Sequence, residues 1–503
     1  MSATKRAPNQ LRFWWHYRKD RLAHALAHHD CAGPLSPRAL SAMYRLGMYA
    51  SVVAARPIRL GWWGLLAKAV SYAACGKVDE AREAVAVYLR CPGADAHLEQ
   101  LASDLAPFRP DQALQLAQDS PRISPALLCG LLLRSGQVEE ARQLLDSLSP
   151  DTVVAKPELQ LLRTNAFGGT PGEQLQRLNA FLGSHGVSAL RLIHVAHAPS
   201  PVNIAVKEPP APQEGPLVTV LMTTFRTGPR VLPAIESVLL QSYRQLELVV
   251  VDDASGDDTP KLVRDLAQRD SRLRFVALDR NVGTYAAKLI GLSQARGEFV
   301  TCHDSDDWSH PVKIARQVAP LLSDERLVGT VSNLVRIQDD GAFYARAVHP
   351  LMRLNPSSLL FRRERVLREA GAWDCVRTGA DSELLARLRV VFGPRAIRKI
   401  RQPLALASHR PDSLMTATST GYSETGISPE RLAYWEAWSH WHIEALAHGR
   451  RPYLPAEPLA AARARPFPVP QALRVPIEYV EESVASVAAS KDGCAAQRGL
   501  GRE

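Results

Sequence analysis

The amino-acid sequence predicts an α/β domain built on a mostly parallel sheet and preceded by an all-α, repeat-like region. Between residues 217 and 302, four apolar runs of strand length alternate with helical stretches. Ahead of them, residues 46–195 carry apolar side chains at helical spacing together with a weak internal repeat. A proline-dense stretch separates the two regions.

The elements follow in order. Residues 1–45 open with Leu11-Arg12-Phe13-Trp14-Trp15-His16-Tyr17-Arg18-Lys19. Aromatics interleaved with cations suit an interfacial helix on anionic lipid, or a helix whose rings pack on the next domain. In 46–195, Gly76-Lys77-Val78-Asp79-Glu80-Ala81-Arg82 matches Gly136-Gln137-Val138-Glu139-Glu140-Ala141-Arg142. With degenerate copies around Ala113 and Leu175, the spacing is near the ~34 residues of a tetratricopeptide-like helix pair. This region reads as a packing or protein-partner surface, with an irregular helical bundle as the alternative. Residues 196–216 hold Pro199, Pro201, Pro209, Pro210 and Pro212 and read as a linker. The runs Leu217–Met222, Leu246–Val251, Leu273–Leu278 and Glu298–Cys302 are expected strands. Helices are expected at 231–242, 259–269 and 282–295. Residues 416–451 contain an aromatic-rich helix that either packs in a core or covers a cleft, and 452–503 is a Pro- and Ala-rich tail expected to be loosely ordered.

Composition narrows the function. The chain has 503 residues, enough for two or three domains, with 46% hydrophobic and 22% charged residues. It contains no run of ~18 apolar residues that would span a membrane. The first thirty residues lack the apolar core of a secretory signal, so a cytoplasmic location is expected, with the inner membrane face as a peripheral site. Seven cysteines are scattered without a Cys-x-x-Cys pair, against both a zinc site and a disulfide framework. The net charge of +10 favours anionic partners. No helix-turn-helix, zinc-finger or RNA-recognition motif is present, so nucleic acid is not an expected partner.

Right-handed crossovers in a parallel sheet put every strand's carboxyl end on one edge, where ligands bind. Here those ends carry Thr223-Thr224-Phe225, Asp252-Asp253-Ala254-Ser255 and Asp304-Ser305-Asp306-Asp307-Trp308. Three carboxylates within four positions repel one another unless a cation sits between them. Mg²⁺ or Mn²⁺ carrying a diphosphate suits such oxygen donors. An acidic surface turn is the plainer alternative. Gly-rich and Walker phosphate loops are absent, which leaves phosphate to metal, basic side chains or a helix N-terminus.

In this order and spacing the motifs resemble the nucleotide-sugar half of family 2 glycosyltransferases with the GT-A fold. They are Val218–Phe225, Ser237–Tyr243, Val250–Thr259, Asn281-Val282-Gly283, Ala295–Phe299 and the Asp304–Trp308 box, and the resemblance extends over about 217–415. It implies that Thr223 and Phe225 lie against the base, that Asp253 accepts a hydrogen bond from it, and that Asp252 is the neighbouring candidate. Asp304 and Asp306 would form the Asp-x-Asp box serving ribose and metal, with Asp307 a second possible metal ligand. Lys288 stands where the family often has arginine and could face the diphosphate. Leu289 and Arg226 replace asparagines common in the family. In the acceptor half, Gly379–Leu388 resembles the segment bearing the base, with Asp381 at the aspartate position and alanine in place of the usual glutamate before it. A carboxylate there can deprotonate the acceptor or cap the helix; Glu383 is the alternative base. His409 lies where some GT-A enzymes place a metal-binding histidine.

The resemblance implies a metal-dependent, inverting glycosyltransferase using Mn²⁺ or Mg²⁺ and a nucleotide sugar, UDP by family habit. Its acceptor would be a glycan or a lipid-linked glycan, in surface polysaccharide synthesis. The competing readings are a non-catalytic assembly protein that only binds nucleotide sugar and a dehalogenase-like phosphatase, which the Asp304–Trp308 continuation fits poorly.

Overall fold

The structure is a computed structural model that describes residues 3–29, 35–57, 60–410, 421–423 and 426–499. Residues 411–420, which include the end of the His409 segment and the expected boundary at 415, lie outside the described residues. Two compact units divide the chain, each assembled from separate stretches. The first comprises Met1–Lys207, Leu334–Arg353 and Ser408–Pro452; the second comprises Glu208–Asn333, Leu354–Ala407 and Tyr453–Glu503.

The first unit is mainly helical. The two matching repeat segments each form a helix pair, Trp62–Ala74 with Val78–Leu89 and Pro125–Arg134 with Val138–Ser147. Gly76 and Gly136 make the intervening turns at φ of 73° and 75°, which glycine adopts without a Cβ clash. Ala81 and Ala141 are fully buried, so the small side chain of each copy sits at a close helix approach. The aromatic-rich helix, Pro429–Ala447, belongs to this unit's core. Tyr434 and Trp438 are buried, Trp435 Nε1 donates to the Leu46 carbonyl at 2.8 Å, and Glu436 accepts from the Ala50 and Ser51 amides.

The second unit carries the sheet. Its main strands are β1 (Val218–Thr224), β2 (Leu246–Asp252), β3 (Leu273–Ala277), β4 (Phe299–Cys302), β5 (Trp308–Ser309), β6 (Gly329–Ile337), β7 (Leu360–Arg362) and β8 (Ile397–Ser408), with two short strands paired at the side of β6. They lie in the order β3-β2-β1-β4-β7-β6-β8-β5. The first four are parallel, and β7 then runs antiparallel to both β4 and β6. This is a mostly parallel GT-A-like sheet, with its antiparallel part arising from the half after residue 302 (the sequence's strand–helix alternation stops there). Strands β1 and β2 are almost entirely buried, as expected for parallel strands covered on both faces. One core packs Val220, Met222, Leu248 and Val250 against Ile235 and Val238 of the Val231–Leu239 helix and Ile314 and Val318 of the Lys313–Ser323 helix.

The C-terminal stretch differs from the expected loose tail, since it forms helices Pro458–Arg463 and Ile477–Gly499 in the second unit. Leu473 and Val480 are fully buried, and Arg465 pairs with the buried Asp374 at 2.8 Å. Few apolar residues are needed to dock such a segment, and its proline content hid them.

Candidate active site

The register of the parallel strands brings the polar ends together. Thr224 is level with Asp252, and Leu221 with Cys302. The pairing runs past the strands: the Asp253 amide donates to the Thr224 carbonyl at 2.9 Å, and the His303 amide to the Leu221 carbonyl at 3.0 Å. Thr223, Asp252, Asp253 and Asp304 therefore emerge on one edge.

Each side chain has a local task. Thr223 shares a hydroxyl hydrogen bond of 2.7 Å with Thr284, at the start of the Thr284–Leu292 helix. Phe225 is 45% exposed with the Arg226 guanidinium 5.1 Å from its ring, and Arg226 is itself tied to Ser255. An aromatic face left open at a strand end can take a flat base. Asp252 is buried and closes its own turn, accepting from both the amide and the hydroxyl of Ser255; burial raises its pKa. Asp253 accepts the amides of Val282 at 2.7 Å and Gly283 at 2.8 Å. Burial pushes its pKa up to about 7, against the pull of those two donors. Gly283 has φ of 80°, and a Cβ there would stand 3.2 Å from the Arg377 Cα. The 281–283 loop thus lies hard against the segment leading to Asp381, and Arg377 also donates to Asn281 at 2.8 Å.

The acidic box is similarly held. His303, fully buried with its pKa lowered to about 3 by desolvation, sits 3.1 Å from the Asp307 carbonyl and clips the turn shut. Ser305 bonds Thr227 at 2.9 Å, tying the turn to the loop after β1. Asp304 and Asp306 are half-buried, whereas Asp307 is buried. Lys313 is 2% exposed; burial lowers its pKa to about 8, opposed by the nearby thiol of Cys302 and the carboxylates of Asp304 and Asp307.

Asp381 lies in the first turn of the Ala380–Phe392 helix and is buried. Four side chains from three separate elements donate to it. Trp373 Nε1 reaches Oδ1 at 2.8 Å, Ser357 Oγ and the Tyr285 hydroxyl reach Oδ2 at 3.0 and 3.1 Å, and Lys288 Nζ lies 3.2 and 3.4 Å from the two oxygens. Burial opposes the charge on Lys288, but the adjacent Asp381 carboxylate prevails and raises its pKa well above the usual lysine value. Lys288 and Tyr285 also feel Asp304, so the base candidate and the acidic box share one electrostatic neighbourhood.

Two further residues read from the sequence have other partners. Glu383 is fully buried and paired with Arg387 at 2.8 Å, a structural use of its charge. His409 belongs to the first unit, where its ring stacks on Tyr344 with centroids 3.7 Å apart. Burial, with Arg336 and Arg134 nearby, lowers its pKa. Trp373, Ser357, Tyr285, Lys313 and His303 were not singled out in the sequence. Tyr285 alone had a usable signal, standing three residues before Lys288 on one helix face.

A family model for glycosyl transferase family 2 matches residues 219–380. The succinoglycan biosynthesis protein ExoO of Rhizobium meliloti is 41% identical over 110 residues, 22% of this chain and 31% of its own length. A GalNAc(5)-diNAcBac-PP-undecaprenol beta-1,3-glucosyltransferase of Campylobacter jejuni is 39% identical over 94 residues, 18% of this chain and 30% of that protein. Among solved structures, S. aureus TarS residues 1–349, in complex with UDP-GlcNAc, aligns at 17% identity with a TM-score of 0.37, covering 49% of this chain and 70% of that one. Residues 219–380 therefore resemble a family 2 glycosyltransferase domain. The chain spans about a third of the length of the two curated relatives named.

Proposed function

We propose that the protein is a metal-dependent, inverting glycosyltransferase that moves a sugar from a nucleotide sugar to a glycan or lipid-linked acceptor in surface polysaccharide synthesis. The observation that carries this reading is that the Thr284–Leu292 helix, tied at its start to Thr223 on the edge that carries Asp253 and Asp304, holds Asp381 through Tyr285 and Lys288. The resemblance of residues 219–380 to family 2 and the relatives named in succinoglycan biosynthesis and undecaprenol-linked glucosyl transfer support it.

In this reading Phe225 and Thr223 lie along the base, and Asp253 fixes the loop beside it. Asp252 shapes the same turn. The donor set of the acidic box fits a hard divalent ion. Among the described residues no group of three or more ligating side chains surrounds an ion site, and Mg²⁺-like ions commonly take one or two carboxylates and complete their shell with substrate phosphates. Asp306 would hold the ion, with Asp307 a second ligand and Asp304 facing the donor's ribose; His409 remains a candidate further ligand. Bound there, the ion would neutralise charge on the departing diphosphate.

Asp381 takes the proton of the acceptor hydroxyl as its oxygen bonds to the anomeric carbon. The bond from that carbon to the diphosphate breaks, and its electron pair leaves with the nucleotide. A carboxylate has about four acceptor sites, and here four donors already fill them. The acceptor must displace one, and the Ser357 hydroxyl, the partly exposed member, is the one it replaces. Lys288 and Trp373 keep the carboxylate aimed throughout.

The test is nucleotide release from a panel of UDP-, GDP- and dTDP-sugars with and without Mn²⁺. Release that needs metal and is lost in Asp306→Ala is expected. Tight sugar-nucleotide binding with no turnover across the panel and a range of glycan acceptors would favour the assembly-protein reading.

A further inference from the structure

The Ala3–Arg18 helix has two unlike faces. Phe13 is 5% exposed and packs in a core with Leu22, Leu26, Leu40 and Met43, and the Tyr17 hydroxyl donates to Ser41 at 3.2 Å. The other side displays Leu11 (72% exposed), Trp14 (38%) and Trp15 (48%), with Arg18 at the next helical step. A contiguous group of exposed large apolar side chains rimmed by polar residues marks an interaction surface.

Cations frame these rings. The Lys19 ammonium lies 3.8 Å from the Trp15 ring centroid, with the Arg21 guanidinium at 5.7 Å, and Arg38 lies 3.8 Å from the Trp14 ring. Arg12 adds a further charge. The one acid of residues 9–29, Asp20, is engaged by Arg45 at 2.5 Å. The patch is therefore of one sign, with indoles at its centre.

We propose that this face docks the protein on the surface of a membrane rich in anionic phospholipid. Indole rings favour the headgroup level, where the apolar ring inserts and the polar edge stays wet, while lysine and arginine meet the phosphates. Neither signal is strong alone; stable peripheral attachment takes an inserted apolar group plus a basic patch, and this surface supplies both. No described helix is long and apolar enough to cross a membrane, so the attachment is peripheral. The one-signed charge favours lipid over a protein surface, which would be expected to offer carboxylates and apolar groups in a fixed pattern.

The inference is independent of sugar transfer and is tested without donor. The full chain is sedimented with vesicles of phosphatidylglycerol and phosphatidylcholine, or of phosphatidylcholine alone, at low and high salt. Binding to the mixed vesicles alone, weakened by salt, is expected. Trp14→Ser with Trp15→Ser should lower it at least tenfold, and Arg18→Glu with Lys19→Glu should do the same. Nucleotide release to a soluble acceptor and the far-UV spectrum should stay unchanged in both. Failure of the wild-type chain to bind the anionic vesicles, or equal binding by both double variants, overturns the proposal. Retention of the chain on a protein partner instead of on lipid overturns it as well.

Discussion

Asp381 illustrates how much a single carboxylate can depend on its setting. Its four donors come from the Thr284–Leu292 helix, the turn at 356–358 and the segment before its own helix. Such donors keep the carboxylate aimed and together occupy its acceptor sites, so one must yield when the acceptor arrives. Ser357→Ala should therefore leave kcat within about tenfold of wild type. Trp373→Phe should cost more, because the Asp381 carboxylate loses a donor that the acceptor does not replace. Steady-state kinetics of the two variants decides this; equal losses would mean that Ser357 is not the displaced group. Lys313 allows a pH test. Its folded pKa of about 8 lies below the 10.5 of a free lysine. Below pH 8 both states are protonated and the burial cost is full. Between 8 and 10.5 the unfolded chain holds more protons, so stability rises with pH. Lys313→Met should remove that rise and stabilise the fold at pH 7 by up to about 3 kcal/mol, at ~1.4 kcal/mol per pKa unit. Denaturant unfolding at pH 7 and pH 10 reads both effects, and a variant less stable than wild type at pH 7 contradicts this account.

At the scale of elements, the site depends on loops pressed together by the sheet's register. The 281–283 loop gives two amides to Asp253 and lies against Arg377, four residues before Asp381. Gly283→Ala introduces a Cβ at φ of 80° and 3.2 Å from backbone. It should destabilise the protein by roughly 1–3 kcal/mol and raise KM for the donor several-fold, with a smaller effect on kcat. Thermal unfolding and donor-saturation curves check this; an unchanged KM would detach the loop from donor binding. The same elements mark what the sequence made legible. Buried strands such as Leu246–Asp252 are continuous apolar runs, and the helices between them follow a 3.6-residue period, so both were readable within a few residues. The acidic ends were readable because parallel topology dictates their common edge. Trp373 and Ser357 were not, since nothing local encodes which side chains meet Asp381. Their approach is a product of long-range packing.

At the scale of the molecule, each compact unit is built from non-contiguous chain. Residues 334–353 and 408–452 belong with the helical first unit, although they flank catalytic-domain segments in sequence. Local patterning carries no signal for such an exchange: Asn165, which binds the Phe343 backbone at 2.7 Å through both ends of its amide, lies 178 residues from its partner. The pairing of helices around Gly76 and Gly136 was readable, because a repeat is a local pattern. A basic, aromatic surface in one unit and an acidic site in the other give the chain two separately testable surfaces. The central claim is that Asp381 acts as the base beside a donor held by the Asp304–Asp307 box. Its most direct test is single-turnover transfer by Asp381→Asn, with donor affinity measured on the same sample by calorimetry. The account predicts donor binding within a few-fold of wild type and transfer reduced ~10²–10⁴-fold. Transfer at the wild-type rate, from a folded Asp381→Asn protein that binds donor normally, would contradict it.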